Sequence, residues 1–196
     1  EFTLFEYRGQ YTINEAHSIE LFSRLRRELT QLSLGTYFAQ VAEVLSQEDI
    51  PNPELLSLLL NSLYALTKLS LPEAQVKAVF ELRAACLSGF TPDLFGCHIC
   101  GSQEPVRFDL RAGQLECESC RDPNSEGIRL PVTPAVLEAM RYICLCEPKR
   151  LFSFQIGKDT LTLLMNLTEA YLATQLERGF STLDFYKSLF IGENYV

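Results

Sequence analysis

The sequence has few of the residues and motifs that catalysis requires. It contains two histidines, His17 and His98, so acid–base catalysis by imidazole has few candidates. It has no G-x-S-x-G, Walker A or H-E-x-x-H motif, and its carboxylates follow no pairing pattern. These absences predict that the protein is not an enzyme.

Long apolar segments and a secretion signal are also absent. No apolar run approaches the roughly 20 residues that a membrane span needs. The first residues lack the basic, apolar and small-residue regions of a signal peptide. We therefore expect no membrane partner. Because the chain begins at Glu1 rather than Met, we expect either a processed start or a piece of a longer protein.

Positive charge is scarce. The chain has 17 Lys and Arg against 25 Asp and Glu, a net charge of −8. Non-specific nucleic-acid binding depends on a dense cationic surface, which this segment lacks as a whole, although that total leaves room for a local basic patch. Arg24, Arg26 and Arg27 form a weak cluster that is better explained as a solvated helix face.

Apolar residues recur at three- and four-residue spacing through most of the chain, which predicts a mainly α, bundle-like domain. Residues 18–47 predict two helices, or one helix broken at Gly35. Residues 54–69 are apolar on more than one face, which predicts a central helix. Further helical patterns cover 73–88, 133–146 and 159–178, with a short closing element at 181–190.

Two helix boundaries are marked by their own residues. Asn52 is placed to cap the helix that Pro53 opens, and Gly89 is placed to end the helix over 73–88. By contrast, residues 2–11 are rich in aromatic and β-branched residues and predict one strand. A lone strand is unstable in water, so it must pair with something else, such as a sheet preceding Glu1.

The cysteines carry the strongest signal. Seven cysteines, an odd number, without a secretion signal favour metal binding over disulfides. Two C-x-x-C pairs, Cys97 with Cys100 and Cys117 with Cys120, have the spacing of a four-cysteine zinc site. Such a site is closed and therefore structural. It predicts one Zn²⁺ in a small knuckle-type insertion over about 95–131, with short strands at 106–110 and 114–117.

Other interpretations of the cysteines are weaker but open. Four unrelated cysteines, two disulfides or a redox C-x-x-C pair are alternatives, and His98 is a minor alternative ligand. Outside the quartet, Cys86 lies on a predicted apolar helix, which favours a thiol packed in the core. Cys144 and Cys146 point in different directions on a helix, which favours core or partly buried thiols.

Several segments, in order along the chain, resemble one bacterial family. The sequence is similar to the C-terminal part of RecO recombination mediators. The similarity lies in Tyr7-Arg8-Gly9, Pro51-Asn52-Pro53-Glu54-Leu55-Leu56, Phe80-Glu81-Leu82-Arg83, Leu87-Ser88-Gly89-Phe90-Thr91-Pro92 and the Cys97…Cys120 quartet.

The resemblance implies an architecture and a function. Residues 1–12 would be the last strand of a truncated OB-fold, and 13–196 a helical domain with the zinc insertion. The whole protein would promote single-strand annealing and recombinase loading in DNA repair, together with RecR and single-strand-binding protein. It would bind single-stranded DNA mainly through the missing OB-fold, in the bacterial cytoplasm at the nucleoid.

The resemblance also implies a docking groove for the acidic, apolar-ended C-terminal tail of single-strand-binding protein. Many family members carry consecutive arginines before F-E-L-R, where this chain has Lys77-Ala78-Val79. A generic zinc-stabilised interaction adaptor unrelated to DNA repair is the alternative function. The expected groove residues are Val76, Phe80, Leu161 and Met165, with Lys77 and Lys158 at the rim.

Overall fold

The chain forms helices where apolar residues recur at three- and four-residue spacing, which confirms a mainly α fold. The computed structural model describes residues 1–121 and 127–190. None of the helices in these ranges is long and apolar enough to cross a membrane. The helices are α1 (Leu29–Leu45), α2 (Pro53–Lys68), α3 (Glu73–Leu87), α4 (Pro134–Leu145), α5 (Lys158–Gln175) and α6 (Ser181–Ser188).

The N-terminal segment is a hairpin rather than the single strand predicted over 2–11. Strands β1 (Phe2–Tyr7) and β2 (Gln10–Ala16) pair antiparallel. The chain reverses at Arg8 and Gly9, whose φ angles of 53° and 74° suit a tight hairpin turn. The residues of both strands are exposed. The expected domain boundary after residue 12 therefore falls within β2.

Helix ends follow the sequence signals. Pro53 is the first residue of α2, and the Asn52 side-chain oxygen accepts a hydrogen bond from the Leu55 N–H at 3.1 Å. At the end of α3, Gly89 takes a φ of +91°, which a glycine adopts without steric cost. Both predicted boundaries are confirmed.

Gly35 does not break its helix, contrary to the sequence prediction. Helix α1 continues from Leu29 to Leu45. A Cβ built on Gly35 would lie 3.3 Å from Leu63 Cδ2 in α2. The residue therefore allows two helices to approach closely, and the glycine is explained by packing rather than by a chain turn.

The central helix is α3, not α2 as predicted. In α2 the side chains of Leu56, Leu60 and Tyr64 are 57%, 45% and 48% exposed, so its second apolar face is uncovered. Helix α3 packs against α1, α2, α4 and α5. It includes Phe80, whose ring stacks on that of Phe38 with centroids 4.2 Å apart.

Helix α3 can be central despite its polar residues because they are paired with one another and with α1 and α5. Lys77 and Glu81 are 1% and 0% exposed. Lys77 Nζ lies 2.8 Å from Glu81 Oε1 and 2.7 Å from Glu169 Oε2. The Tyr37 hydroxyl donates to Glu81 Oε1 at 2.9 Å, and the Thr168 hydroxyl donates to Glu81 Oε2 at 3.0 Å.

The pKa values show how tightly these charges depend on one another. Burial alone would lower the pKa of Lys77, but Glu81 and Glu169 outweigh it and raise that pKa. Burial raises the pKa of Glu81, and Lys77 offsets only part of this. Burial would also raise the pKa of Glu169, but Lys77 and Lys187 outweigh it and lower the pKa.

Replacing Lys77 by Met should strongly destabilise the protein. The substitution leaves Glu81 buried without its cation, which typically costs about 3–5 kcal/mol. The folded variant binds a proton at Glu81 more tightly than the unfolded chain does, so its stability decreases as pH rises through that raised pKa. Urea unfolding should therefore show a smaller loss at about pH 5 than at about pH 8.

Lys187→Met is the matched control. Lys187 Nζ also contacts Glu169, at 2.6 Å, but its side chain is 55% exposed. Removing such an exposed partner should cost no more than about 1 kcal/mol. Equal losses for the two substitutions would show that burial of the Lys77 pair does not determine its importance.

Candidate metal centre

A small sheet between α3 and α4 carries the cysteine quartet. Its strands are β3 (Arg107–Asp109), β4 (Gln114–Glu116) and β5 (Arg129–Pro131), antiparallel in the order β4-β3-β5. Strands β3 and β4 lie within the two segments predicted to be strand-like. The predicted insertion over about 95–131 also includes residues 122–126, which lie outside the described residues.

The first cysteine pair lies in a tight turn. The Gly101 N–H donates to the Cys97 carbonyl oxygen at 2.8 Å, and Gly101 adopts a φ of +74°. The turn is fixed to β4, because the His98 N–H donates to the Leu115 carbonyl oxygen at 2.9 Å. This geometry directs Cys97 and Cys100 toward the end of β4.

The second pair begins directly after β4. A short 3₁₀ turn covers Glu118–Cys120, and the Cys120 N–H donates to the Cys117 carbonyl oxygen at 3.2 Å. The Ser119 hydroxyl lies 3.1 Å from Cys117 Sγ. The turn brings Cys117 and Cys120 to the same point as the first pair.

All four predicted cysteines converge. Their Sγ atoms lie within 4.8 Å of one another, and the Cys100 and Cys117 sulfurs are 3.6 Å apart. A tetrahedral ion with metal–sulfur bonds of about 2.3 Å places its sulfurs about 3.8 Å apart. The donor set and its spacing therefore fit a four-thiolate metal site with no position left for water or substrate.

The local groups favour the thiolate, the form that coordinates a metal, at two of the four thiols. A hydrogen bond with Ser119 lowers the pKa of Cys117. Burial by itself raises the pKa of Cys97, but the N–H groups of Cys100, Cys117 and Ile99 outweigh it and lower the pKa to about 6. Hydrogen bonds with Cys100 and Cys117 raise the pKa of Cys120 to about 12. A bound metal must displace such protons, so metal affinity should decrease with acidification.

Arg129 joins the three strands below the cysteines, and the sequence analysis missed it. Its Nε donates to Glu116 at 2.9 Å, and its guanidinium pairs with Asp109 Oδ2 at 3.0 Å. Asp109 also accepts from the N–H groups of Arg111 and Ala112 at 2.9 and 2.8 Å. Only the pairing of β3 with β5, which the sequence did not predict, could have revealed these contacts.

The remaining polar candidates lie beside the quartet. His98 Nε2 is 3.7 Å from Glu116 Oε1, and His98 is not among the converging ligand groups. Arg121 pairs with Glu118 at 3.7 Å and is 53% exposed. The position of His98 agrees with its interpretation as an ordinary polar side chain rather than a ligand.

The insertion is anchored to α5. The rings of Phe108 and Tyr171 meet edge to face with centroids 5.2 Å apart. The Tyr171 hydroxyl donates to the Phe90 carbonyl oxygen at 3.0 Å, and Gln175 Nε2 donates to the Leu110 carbonyl oxygen at 2.7 Å. The sheet is thus part of the main core, while the cysteine turns lie beyond it.

Comparison with known proteins identifies the family. The model of the family described as recombination protein O C terminal matches residues 26–184. The chain belongs to the RecO family. A DNA repair protein RecO of Acetivibrio thermocellus is 32% identical over 192 residues, which are 96% of this chain and 75% of the relative. One of Alkaliphilus metalliredigens is 27% identical over 192 residues, 96% of this chain and 77% of the relative.

RecO family membership places the chain in DNA repair and recombination. The relatives share the name DNA repair protein RecO. This function takes precedence over the alternative of an adaptor unrelated to DNA repair.

The residues expected to form the tail groove lie mostly inside the fold. Lys77 is not at a rim, because Glu81 and Glu169 hold it in the interior. Val76, Phe80 and Leu161 are 0%, 0% and 8% exposed, and they belong to the packed helices. Met165 is half-buried and Lys158 is exposed. Binding between α3 and α5 stays a prediction that requires these helices to separate.

A cavity near the start of α5 is open without such a movement. It lies between α4 and the segment leading into α5 and has a volume of about 950 Å³. Leu145, Phe154 and Ile156 contribute apolar surface, and Arg150 contributes a cation. Lys158 lies between Gly157 and Thr160, which both line the cavity. The sequence did not reveal this cavity, because its walls come from separate segments of the chain.

The purified protein should contain one metal ion per chain. Cys97→Ser removes a ligand whose pKa is lowered to about 6 and should reduce the metal content by at least about tenfold, measured by elemental analysis. It should loosen the cysteine turns far more than the helices, because the helices have their own apolar core.

Cys146→Ser is the control for this experiment, since Cys146 lies outside the quartet. It should retain the metal. Absence of stoichiometric metal in the unmodified protein, or equal metal loss in both variants, would contradict the assignment of the ligands.

Proposed function

We propose that this chain is the helical, partner-binding part of a recombination mediator. The mediator promotes annealing of complementary single strands and recombinase loading, together with RecR and single-strand-binding protein. The observation that carries the proposal is the match of the recombination protein O model to residues 26–184. The quartet would form a structural rather than a catalytic metal site, because four thiols leave no open coordination position.

We assign the metal as Zn²⁺. Four thiolates in two C-x-x-C turns suit this ion, which prefers tetrahedral sulfur coordination. Cys97, Cys100, Cys117 and Cys120 would hold it. Bound zinc supplies a cross-link between the two turns, and this chain's own residues supply the rest. The backbone N–H groups near Cys97 stabilise its thiolate, and the Arg129 pairs hold the strands that carry the turns.

We assign the binding of single-stranded DNA mainly to an OB-fold that would precede the helical part. The exposed apolar side chains of the hairpin support this. Phe2, Leu4 and Phe5 are 65%, 54% and 62% exposed, more apolar surface than a free hairpin normally leaves in water. In the proposal β1 and β2 complete that OB-fold, which would bind single strands through a basic groove and stacking aromatics.

The chain by itself should therefore bind single-stranded DNA weakly. Its net charge of −8 opposes binding to phosphates, so we expect a Kd weaker than about 10⁻⁶ M at physiological salt. The remaining affinity should fall steeply with added salt. Fluorescence anisotropy with a labelled oligonucleotide measures both. A Kd near 10⁻⁸ M, as specific DNA-binding proteins reach, would contradict this division of labour.

We further place the tail of single-strand-binding protein in the cavity beside Lys158. An acidic tail with an apolar end needs an apolar wall and nearby cations. Leu145, Phe154 and Ile156 offer the apolar wall. Arg150 offers a cation in the wall, and Lys158 offers a second one next to the lining residue Gly157. This site retains Lys158 from the predicted groove and needs no separation of packed helices.

Charge reversal at the cavity tests this site. The double variant Arg150→Glu/Lys158→Glu should weaken binding of a labelled tail peptide by at least about tenfold, because a cation of the cavity wall and a cation beside it both become anions. Isothermal titration or anisotropy gives the affinity. Both residues are exposed, so the variant should keep the melting temperature of the unmodified protein.

Arg26→Glu/Arg27→Glu is the matched control, because it changes the same charge at exposed positions before α1. It should bind the peptide as the unmodified protein does. Unchanged binding by the Arg150/Lys158 variant would rule out the cavity. Absence of binding by the unmodified chain would rule out this partner for the helical part.

A further inference from the structure

Two cysteines outside the metal quartet lie against each other. Cys86, near the end of α3, and Cys144, near the end of α4, have their Sγ atoms 3.6 Å apart. Both are half-buried rather than enclosed in the core. An S–S bond is about 2.05 Å long, so the sulfurs must approach by about 1.5 Å to form one. Rotation about the Cα–Cβ bonds of the two cysteines can move the sulfurs by a distance of this order.

Arg83 places a fixed positive charge beside this pair. Its NH1 donates to the carbonyl oxygens of Ile143 and Cys144 at 3.1 and 2.6 Å. These are among the last carbonyls of α4, which a cation stabilises. The guanidinium is one turn of α3 before Cys86. A cation in this position favours a thiolate over a thiol.

We propose that Cys86 and Cys144 form a peroxide-reactive dithiol that closes into a disulfide between α3 and α4. The Cys86 thiolate attacks one oxygen of a hydroperoxide, an S–O bond forms and the O–O bond breaks. Sulfur loses two electrons and keeps one oxygen as sulfenic acid, and the other oxygen leaves as water or an alcohol after taking up a proton. Cys144 then attacks the sulfenic sulfur, the S–O bond breaks, and the hydroxide leaves as water with the Cys144 proton.

The surroundings assign different roles to the thiols. A hydrogen bond with Cys144, helped by Thr91 and Arg83, lowers the pKa of Cys86 in spite of its burial. The partner thiol Cys144 has a raised pKa because of the same hydrogen bond and its burial. Cys86 is therefore the attacking group and Cys144 the resolving group. Burial raises the pKa of Cys146, which makes it the less reactive neighbour.

The cross-link would enclose the metal insertion. Cys86 and Cys144 are 58 positions apart, and the quartet lies between them in the sequence. Closing a loop of this length removes conformational freedom from the unfolded chain. Oxidation should therefore raise the melting temperature by about 5–10 °C. It would also fix the end of α4 that contributes Leu145 to the cavity wall.

Disulfide mapping of the metal-loaded protein tests the proposal. The protein is treated with about one equivalent of hydrogen peroxide, alkylated, and digested without reduction by an enzyme that cleaves at Phe90 and Leu145. These cuts separate Cys86 from Cys97, and Cys144 from Cys146. Mass spectrometry should show a Cys86–Cys144 cross-link, with the metal content unchanged.

Single substitutions separate the three thiols. Cys86→Ser and Cys144→Ser should both lose the cross-link and the rise in melting temperature, whereas Cys146→Ser should keep both. In Cys144→Ser, Cys86 should accumulate as sulfenic acid, trapped by a dimedone probe. A cross-link at Cys146 or in the quartet, or no cross-link at all, would overturn the proposal.

Discussion

The buried pairing of Lys77 with Glu81 and Glu169 is the interaction on which the rest of the fold depends. Charges in a protein interior are tolerated only when they are paired and fully hydrogen-bonded. Here Tyr37 of α1 and Thr168 of α5 complete the shell of Glu81. The network therefore fixes how α1, α3 and α5 meet, and it allows a helix with polar residues to occupy the centre.

The insertion and the hairpin are attached to this frame in different ways. Phe108 packs on Tyr171, and Gln175 binds the turn after β3, so the small sheet shares the core of α5. The cysteine turns lie outside that core and depend on one another. The hairpin has only exposed residues. The helical frame, the cysteine turns and the hairpin therefore depend on different interactions.

Local signals in the sequence were sufficient where the contacts are local. The Asn52 cap and the Gly89 helix end follow from residues a few positions apart. The two C-x-x-C turns converge across 17 positions between Cys100 and Cys117, and the repeated pair spacing marked them in the sequence. Pairing over long distances was not predictable. Lys77 appeared to be a surface cation because an i,i+4 pair with Glu81 is common on exposed helix faces, and its second partner, Glu169, lies 92 positions away. Helix α2 appeared central because its apolar content does not reveal which face is covered.

Native-state hydrogen exchange tests the central claim most directly, because it reports the opening of each amide separately. If the buried charges hold the frame, the amides of α3 near Lys77 and of α5 near Glu169 exchange most slowly, through global unfolding only. Those of the hairpin exchange fastest, and chelation of the metal accelerates exchange in the cysteine turns alone. Exchange in α3 as fast as in the hairpin, or deprotection of α3 on chelation, would contradict this account.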